Sequence, residues 1–320
     1  MKPIVVLTHA IFAEGASKLT DRFRLITPPG PMGMFEGEKL ASSMREASAV
    51  LAGGAITGAM IEGAPKLKII SNYGTGYDRV DVAAASRLGV LVTNIPDYTA
   101  WPTAELNMAM ILDGRRRLTE LDRMLRGVPS DQVFGMGRFM GRSLVGSVLG
   151  IVGMGHVGKV LCQMARALGM IVIYHNRKPI TGEAAEYVSL EELLRRSDVV
   201  SLNCPLTDET RGMIGLAQLS AMKRDALLVN MARGAVMDYE ALIHALRNGI
   251  IGGAALDVFP DEPAIPPALL SMDNVILSPH IGSNTVEDRV KMARACAERI
   301  EIALSGKRPP NVVNPEAWRD

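Results

Sequence analysis

Val148-Leu-Gly-Ile-Val-Gly-Met-Gly-His-Val-Gly158 joins an apolar run to glycines spaced Gly-x-Gly-x-x-Gly. Val160, Leu161, Met164 and Leu168 follow at helical intervals. A buried strand, a tight turn and an amphipathic helix satisfy this pattern. In that context Gly153 permits the turn, Gly155 lets the backbone approach a pyrophosphate, and Gly158 lets the helix pack close to the sheet. The helix start then presents its N–H groups and its positive dipole end to phosphate charge. The segment therefore implies a dinucleotide-binding βα unit.

The next apolar run, Ile171–Tyr174, leads into His175-Asn176-Arg177-Lys178. Sites selective for NAD place Asp or Glu here to accept from the ribose 2′-hydroxyl. This chain has no carboxylate until Glu183. Arg177 instead suits a 2′-phosphate, with which it forms charge-assisted hydrogen bonds. NADP(H) is the expected cofactor, with NAD(H) a second possibility.

Further short apolar runs flank this unit: Ile4–Leu7, Val50–Ala52, Ile69–Ser71, Val90–Thr93, Val199–Leu202, Leu227–Asn230, Ala254–Asp257 and Val275–Leu277. They are continuous rather than alternating, as strands covered by helices on both faces require. Ser189-Leu-Glu-Glu192 predicts a capping box opening the helix Leu190–Arg196. Asp238 is expected to cap Tyr239–Arg247, with Gly249 closing it. Thr103–Leu112 has a helical pattern after Pro96 and Pro102, and Gly127–Gly146 has little regular pattern. The repeated βα units predict an α/β fold with parallel sheets.

Composition narrows the function classes. The 320 residues are 48% hydrophobic and 22% charged, a globular balance. With 35 basic against 34 acidic residues, nucleic acid or an anionic membrane is not the expected partner. Cys162, Cys204 and Cys296 form no CxxC pair, so no zinc site or disulfide framework is expected, and a reducing cytoplasm is. The run after Met1 is too short for a secretory signal.

Charged residues follow three of the later strand-like runs: Arg233 after Leu-Leu-Val-Asn-Met-Ala, Glu262 after Asp257-Val-Phe-Pro-Asp, and His280 after Val-Ile-Leu-Ser-Pro. Ser71-Asn-Tyr-Gly-Thr-Gly-Tyr-Asp78, Asn230-Met-Ala-Arg-Gly234, Ala255-Leu-Asp-Val-Phe-Pro-Asp-Glu-Pro263 and Ser278-Pro-His-Ile-Gly-Ser283 occur in that order. With the glycine turn, they make nearly the whole chain resemble the D-isomer-specific 2-hydroxy acid dehydrogenases. Within them it looks most like the glyoxylate/hydroxypyruvate and hydroxyphenylpyruvate reductases.

The resemblance implies two Rossmann-like domains with a deep cleft between them. An NADP-binding domain, residues 98–284, would be inserted into a smaller substrate domain, residues 1–97 plus 285–320. It also implies a homodimer formed largely through the nucleotide domain, with the helix Thr103–Arg117 in the interface. The implied reaction is reduction of a small 2-keto acid, glyoxylate or hydroxypyruvate first, to the D-2-hydroxy acid. Negative charge develops on the carbonyl oxygen as hydride arrives, so a cation is needed beside it, and the planar fork of Arg233 suits the role. His280 would be the general acid, and Glu262 would orient its imidazole and favour the protonated form. No metal is required, since the cofactor carries the hydride.

The same resemblance assigns cofactor contacts to Thr103, Gly153, Gly155, His156, Val157, Gly158, Asn176, Arg177, Lys178, Cys204, Pro205, Thr210, Met231, Ala232, Asp257 and Gly282. Asp257 would meet the nicotinamide carboxamide. Substrate contacts fall to Asn72, Tyr73, Gly74 and Ser283 beside Arg233 and His280. His9 ends the first strand without an assigned role, and Ala52-Gly53-Gly54 is expected to leave room for a bulkier keto acid. Two departures stand out: Arg126-Gly-Val-Pro-Ser130 replaces a frequent Gly-x-Trp, and Trp101 replaces a smaller residue.

Two other functions fit the same fold. A D-3-phosphoglycerate-type dehydrogenase usually uses NAD and often carries a regulatory tail, whereas this sequence stops soon after Pro309-Pro310. A nucleotide-sensing corepressor of the C-terminal-binding protein type would not need the Arg233, Glu262 and His280 set.

Overall fold

The computed structural model describes residues 2–30, 33–128, 134–182 and 184–318. Glu183 and part of the Gly127–Gly146 segment, including Pro129 and Ser130 of the departure noted above, lie outside the described residues. Contacts divide the chain into two compact units, Met1–Thr99 with Ser283–Asp320, and Ala100–Gly282. Each is α/β with a parallel sheet, the Rossmann-like arrangement.

The first unit contains strands β1 (Ile4–Leu7), β2 (Arg24–Ile26), β3 (Ala49–Ala52), β4 (Ile69–Asn72) and β5 (Leu91–Thr93), in the spatial order β2-β1-β3-β4-β5. Successive residues feed opposite faces. Val5, Leu7, Ala49 and Leu51 join one core, while Val6, Val50 and Ala52 join the other. That is why the runs are continuous rather than alternating. The helix Val286–Leu304 supplies Met292, Ala293, Cys296 and Ile300 to the first of these cores. A Cβ at Gly15 would lie 2.2 Å from Ala293 Cβ, so the helix Ala13–Thr20 lies directly against this C-terminal helix.

The second unit contains β6 (Val148–Val152), β7 (Ile171–His175), β8 (Glu186–Tyr187), β9 (Val199–Leu202), β10 (Leu227–Asn230), β11 (Gly253–Leu256) and β12 (Val275–Leu277). Their order is β12-β11-β10-β9-β6-β7-β8. The two faces again bury separate cores: Val200, Leu202 and Leu228 on one side, Leu149, Ile151, Tyr174 and Val229 on the other. Each such side chain contributes about 1.5–3 kcal/mol on burial. The chain runs from β6 to β7 in one direction and places β9 on the other side of β6. This reversal opens a crevice beyond the carboxyl ends of β6 and β9, where sheets of this type bind ligands.

Three local expectations are corrected. The helix expected over Thr103–Leu112 runs from Pro96 to Arg116, with Pro102 in its early turns. The capping box at Ser189 is half formed: Ser189 Oγ accepts from Glu192 N at 3.2 Å, but the Glu192 carboxylate bonds Arg196 at 2.9 Å instead of turning back. The arginine is the stronger, charged donor. Of the room expected at Ala52-Gly53-Gly54, the part above Gly53 is filled, since a Cβ there would lie 2.4 Å from the His9 ring, while a Cβ at Gly54 would meet nothing within 4 Å. Asp238 caps Tyr239–Arg247 through bonds from Glu240 N and Ala241 N, both 3.0 Å, and Gly249 follows at φ +61°.

Candidate active site

In the second unit, every assigned group except Thr103, which lies on the helix Pro96–Arg116, follows the carboxyl end of a strand. After β6, Gly153 turns at φ +99°. A Cβ there would meet Cys204 N at 2.6 Å, so only glycine lets the turn lie against the loop after β9. Gly158 is equally constrained, with Gly153 O 2.4 Å from its would-be Cβ. A Cβ at Gly155, by contrast, would meet nothing within 4 Å. Gly155 is the N-cap of the twelve-residue helix His156–Ala167, so open space faces a helix start. That cradle fits the pyrophosphate of a dinucleotide.

The neighbouring groups support the cradle. Asn176 Oδ1 accepts from Met154 N at 2.8 Å, tying the end of β7 to the glycine turn. Arg177 and Lys178 are exposed just beyond. Thr210 Oγ1 donates to Pro205 O at 2.7 Å and accepts from Thr207 N at 2.8 Å, bracing the loop after β9. Burial pushes the Cys204 thiol up to about 11, so it meets a ligand as a neutral group.

Arg233 follows β10 and its Nη1 donates to Ala232 O at 2.8 Å. Asn230 shapes this corner from below, donating to Arg233 O at 3.1 Å and accepting from Ala232 N at 3.0 Å. The next residue, Gly234, touches the loop after β11: a Cβ would lie 2.1 Å from Phe259 C and 2.4 Å from Pro260 N. Backbone contact this close seats the Arg233 corner against the segment that carries Glu262. Met231 and Ala232 are buried beneath it.

His280 follows β12 in a left-handed conformation, φ +53°. Its Nδ1 is 2.9 Å from Glu262 Oε2, and Glu262 Oε1 accepts from Phe259 N at 3.1 Å. The carboxylate is thus fixed at both oxygens, and the imidazole keeps Nε2 for another partner. Asp257, 2% exposed, holds the His280 loop: its carboxylate accepts from the Ser278 hydroxyl, from Ile281 N at 2.9 Å and from Gly282 N at 2.9 Å. Burial raises the Asp257 pKa, the three donors opposing that rise. Gly282 also packs on Thr103, whose Cγ2 lies 3.3 Å from its would-be Cβ.

In the first unit, the loop after β4 has an unusual polarity. Asn72 Nδ2 donates to Gly74 O at 3.0 Å and Gly76 O at 2.9 Å, Asn94 Nδ2 to Thr75 O at 2.8 Å, and Ile95 N to Gly74 O at 3.1 Å. The carbonyls of Gly74, Thr75 and Gly76 are thus engaged, while the N–H groups of the same three residues have no backbone acceptor among the described residues. Backbone amides left in this way can receive an anion, and the loop is called the nest below. Asn72 itself is buried and its amide donors serve the loop, which makes it the builder of the nest. Tyr73 anchors the loop, donating to Arg289 O at 2.6 Å with the Arg289 guanidinium 5.2 Å from its ring centroid. His9, unplaced from sequence, packs 4.7 Å from the same ring. Ser283 begins the return of the chain to this unit.

A family model for the D-isomer specific 2-hydroxyacid dehydrogenase, NAD binding domain, matches residues 108–282. The chain is 40% identical over 325 residues to the glyoxylate reductase of Thermococcus litoralis, covering 99% of this chain and 98% of that one. Among solved structures, it is similar to the TT0316 protein of Thermus thermophilus, with TM-score 0.90 and 36% identity over 97% of this chain and 99% of that one. It is also similar to the NADPH-dependent glyoxylate/hydroxypyruvate reductase of Sinorhizobium meliloti, seen with NADP and malonate, with TM-score 0.89 and 29% identity over 100% and 99%.

Proposed function

The chain belongs to the D-isomer-specific 2-hydroxyacid dehydrogenases and is an oxidoreductase, and on that premise we propose that it reduces glyoxylate or hydroxypyruvate to the D-2-hydroxy acid, with NADPH preferred. The observation that carries this reading is the His280–Glu262 pair, with the Arg233 corner seated against the same loop through Gly234.

A dinucleotide held at the glycine turn would supply a hydride to the keto carbon, and the carbonyl π electrons would move onto oxygen as the C–H bond forms. Arg233 stabilises that developing charge and grips the substrate carboxylate. His280 Nε2–H gives its proton to the oxygen, and Glu262 stabilises the resulting arrangement by holding Nδ1–H. The amides of Gly74 and its neighbours take the carboxylate, with Tyr73 and Ser283 as further contacts. Asp257 keeps the His280 loop in register and would meet the nicotinamide carboxamide. Arg177, Lys178 and Asn176 would hold the adenosine end, and this basic group, with no carboxylate next to it in the sequence before Glu183, supports NADPH over NADH even with Glu209 near enough to feel the Arg177 charge. NAD-dependent oxidation of a D-3-phosphoglycerate-type substrate is disfavoured by the same residues.

We also assign the protein to the cytoplasm as a homodimer. No described helix is long and apolar enough to cross a membrane. The helix Leu118–Gly127 buries no residue within this chain and exposes Leu118 (68%) and Leu125 (50%), which supports a face covered by a second copy.

The test is oxidation of NADPH and NADH followed against glyoxylate, hydroxypyruvate, pyruvate and 4-hydroxyphenylpyruvate, with His280→Ala alongside. NADPH-dependent turnover of the first two acids, lost in His280→Ala, is the expected result. Tight NADPH binding with no turnover of any acid would replace the reductase reading with a sensing role.

A further inference from the structure

Three polar side chains meet inside the second unit, next to the glycine turn. Asn107, on the helix Pro96–Arg116, and Ser201, in β9, are both 0% exposed. Val199, Ser201 and Asn203 alternate along β9 and its continuation, so they share one face of the sheet. That face is otherwise apolar: the helix gives Ala104, Met108 and Ile111, and the strand gives Val199, to one hydrophobic cluster. Nothing in the proposed reaction uses the polar three.

Asn107 Nδ2 donates to Ser201 Oγ at 2.8 Å and to Asn203 Oδ1 at 3.1 Å, and Ser201 Oγ donates back to Asn107 Oδ1 at 3.2 Å. Asn203 Nδ2 donates to Ser201 Oγ at 2.9 Å and to Ser201 O at 3.3 Å. An amide has two N–H donors and a hydroxyl one O–H, so every donor of the three side chains is engaged inside the cluster. Apolar residues would fill these positions without desolvating a polar group, whereas a closed polar network holds its members in one arrangement. The member nearest the crevice is Asn203. It is half-buried just beyond β9, and its backbone N–H donates to Val152 O at 2.8 Å. A Cβ at Gly153 would lie 2.7 Å from Asn203 C and 2.6 Å from Cys204 N, so the peptide joining those two residues lies directly against the turn.

We propose that Asn107 is a positioning residue for the dinucleotide, acting through Asn203 on the Asn203–Cys204 peptide that supports the glycine turn. The role rests on the reading of that turn as a pyrophosphate cradle. Asn203 cannot change rotamer without breaking its bonds to Asn107 and Ser201, so the peptide keeps its place before any ligand arrives. A cradle formed in advance binds more tightly, because less ordering remains to be done on binding. Asn107 is itself fully buried and touches no ligand, so its effect falls on cofactor affinity and not on hydride or proton transfer.

The test is fluorescence titration with NADPH, beside thermal unfolding, of the full chain carrying Asn107→Leu, Asn203→Ala or both. Asn107→Leu keeps the volume and removes the network. Each single substitution should weaken NADPH binding roughly tenfold, the effect of losing one or two buried hydrogen bonds. The double variant should bind no more weakly than the weaker single, because the two residues act as one unit. At saturating NADPH the keto acid KM should stay within a factor of about two. If Asn107→Leu does not fold, the smaller and polar Asn107→Ser takes its place, with the same tenfold loss expected. Unchanged NADPH binding in the Asn107 variant overturns the proposal, whatever its unfolding temperature, since a merely structural residue would lower that temperature alone. Losses that add in the double variant overturn it too, because Asn107 would then not act through Asn203. An unsubstituted chain that binds neither NADPH nor NADH overturns the cradle reading itself, and this role with it.

Discussion

His280 Nδ1 lies 2.9 Å from Glu262 Oε2, and the other oxygen of that carboxylate is held by Phe259 N at 3.1 Å. The imidazole therefore has one nitrogen committed and one available. Glu262→Gln should keep the shape and remove the charge, lowering kcat by roughly 10²-fold, whereas His280→Ala should lower it by roughly 10²–10⁴-fold. Cofactor affinity, measured by fluorescence titration, should stay within a factor of a few in both. A His280→Ala enzyme retaining full turnover would remove His280 from the mechanism.

Arg177 is exposed beyond β7, next to Asn176, which is tied to the glycine turn. Arg177→Ala should raise the KM for NADPH by roughly tenfold to a hundredfold, the worth of one or two charge-assisted hydrogen bonds, and leave that for NADH nearly unchanged. Steady-state kinetics with both cofactors checks it. Equal losses for both would mean that Arg177 does not read the 2′-phosphate.

Gly234 leaves no space for a methyl group, with Phe259 C 2.1 Å and Pro260 N 2.4 Å from a Cβ. These are backbone atoms and cannot swing aside. Gly234→Ala should destabilise by about 1–3 kcal/mol and separate the Arg233 corner from the Glu262 segment. Thermal unfolding and kcat/KM should fall together; an unchanged kcat/KM would show that this contact does not set the catalytic geometry.

Asn72 holds the carbonyls of Gly74 and Gly76 inward at 3.0 and 2.9 Å. Asn72→Ala frees them to turn, and the keto acid KM should rise roughly tenfold while kcat changes less, as expected when ground-state and transition-state binding are lost together. Asn72→Asp should be worse, because it replaces donors by acceptors facing carbonyls. A fall in kcat at constant KM would contradict the role given to the nest.

His9 is neutral in the fold: burial first, and the Arg289 charge second, lower its pKa from 6.5 to about 4. The unfolded chain binds this proton more readily between those two values, so stability falls as pH drops from 6.5 toward 4, by up to about 3 kcal/mol. His9→Gln should flatten that part of the stability profile in denaturant titrations at several pH values. An identical slope in the variant would mean that other groups govern the acid limb.

The elements most legible in the sequence are those whose signal is local. The glycine turn, the Asp238 cap and the inner strands each depend on neighbours a few residues away. Edge strands escaped: β2 is only three residues with exposed Arg24, and β8 is two exposed residues, Glu186 and Tyr187. Neither buries enough apolar surface to leave a pattern. Glu192 satisfied the capping pattern and still chose Arg196, a competitor visible only once the side chains are placed. The filling of the Gly53 space by His9 and the bracing of Thr75 by Asn94 join residues far apart in the chain, which no window of sequence displays.

Gly282 packs against Thr103, near where the second unit begins, and the same unit ends at Gly282. A segment whose entrance and exit meet can be spliced into a host chain at little cost in loop closure. Residues 100–282 therefore leave and rejoin the rest of the chain at neighbouring points, so inserting this unit cost the host chain little loop-closure entropy.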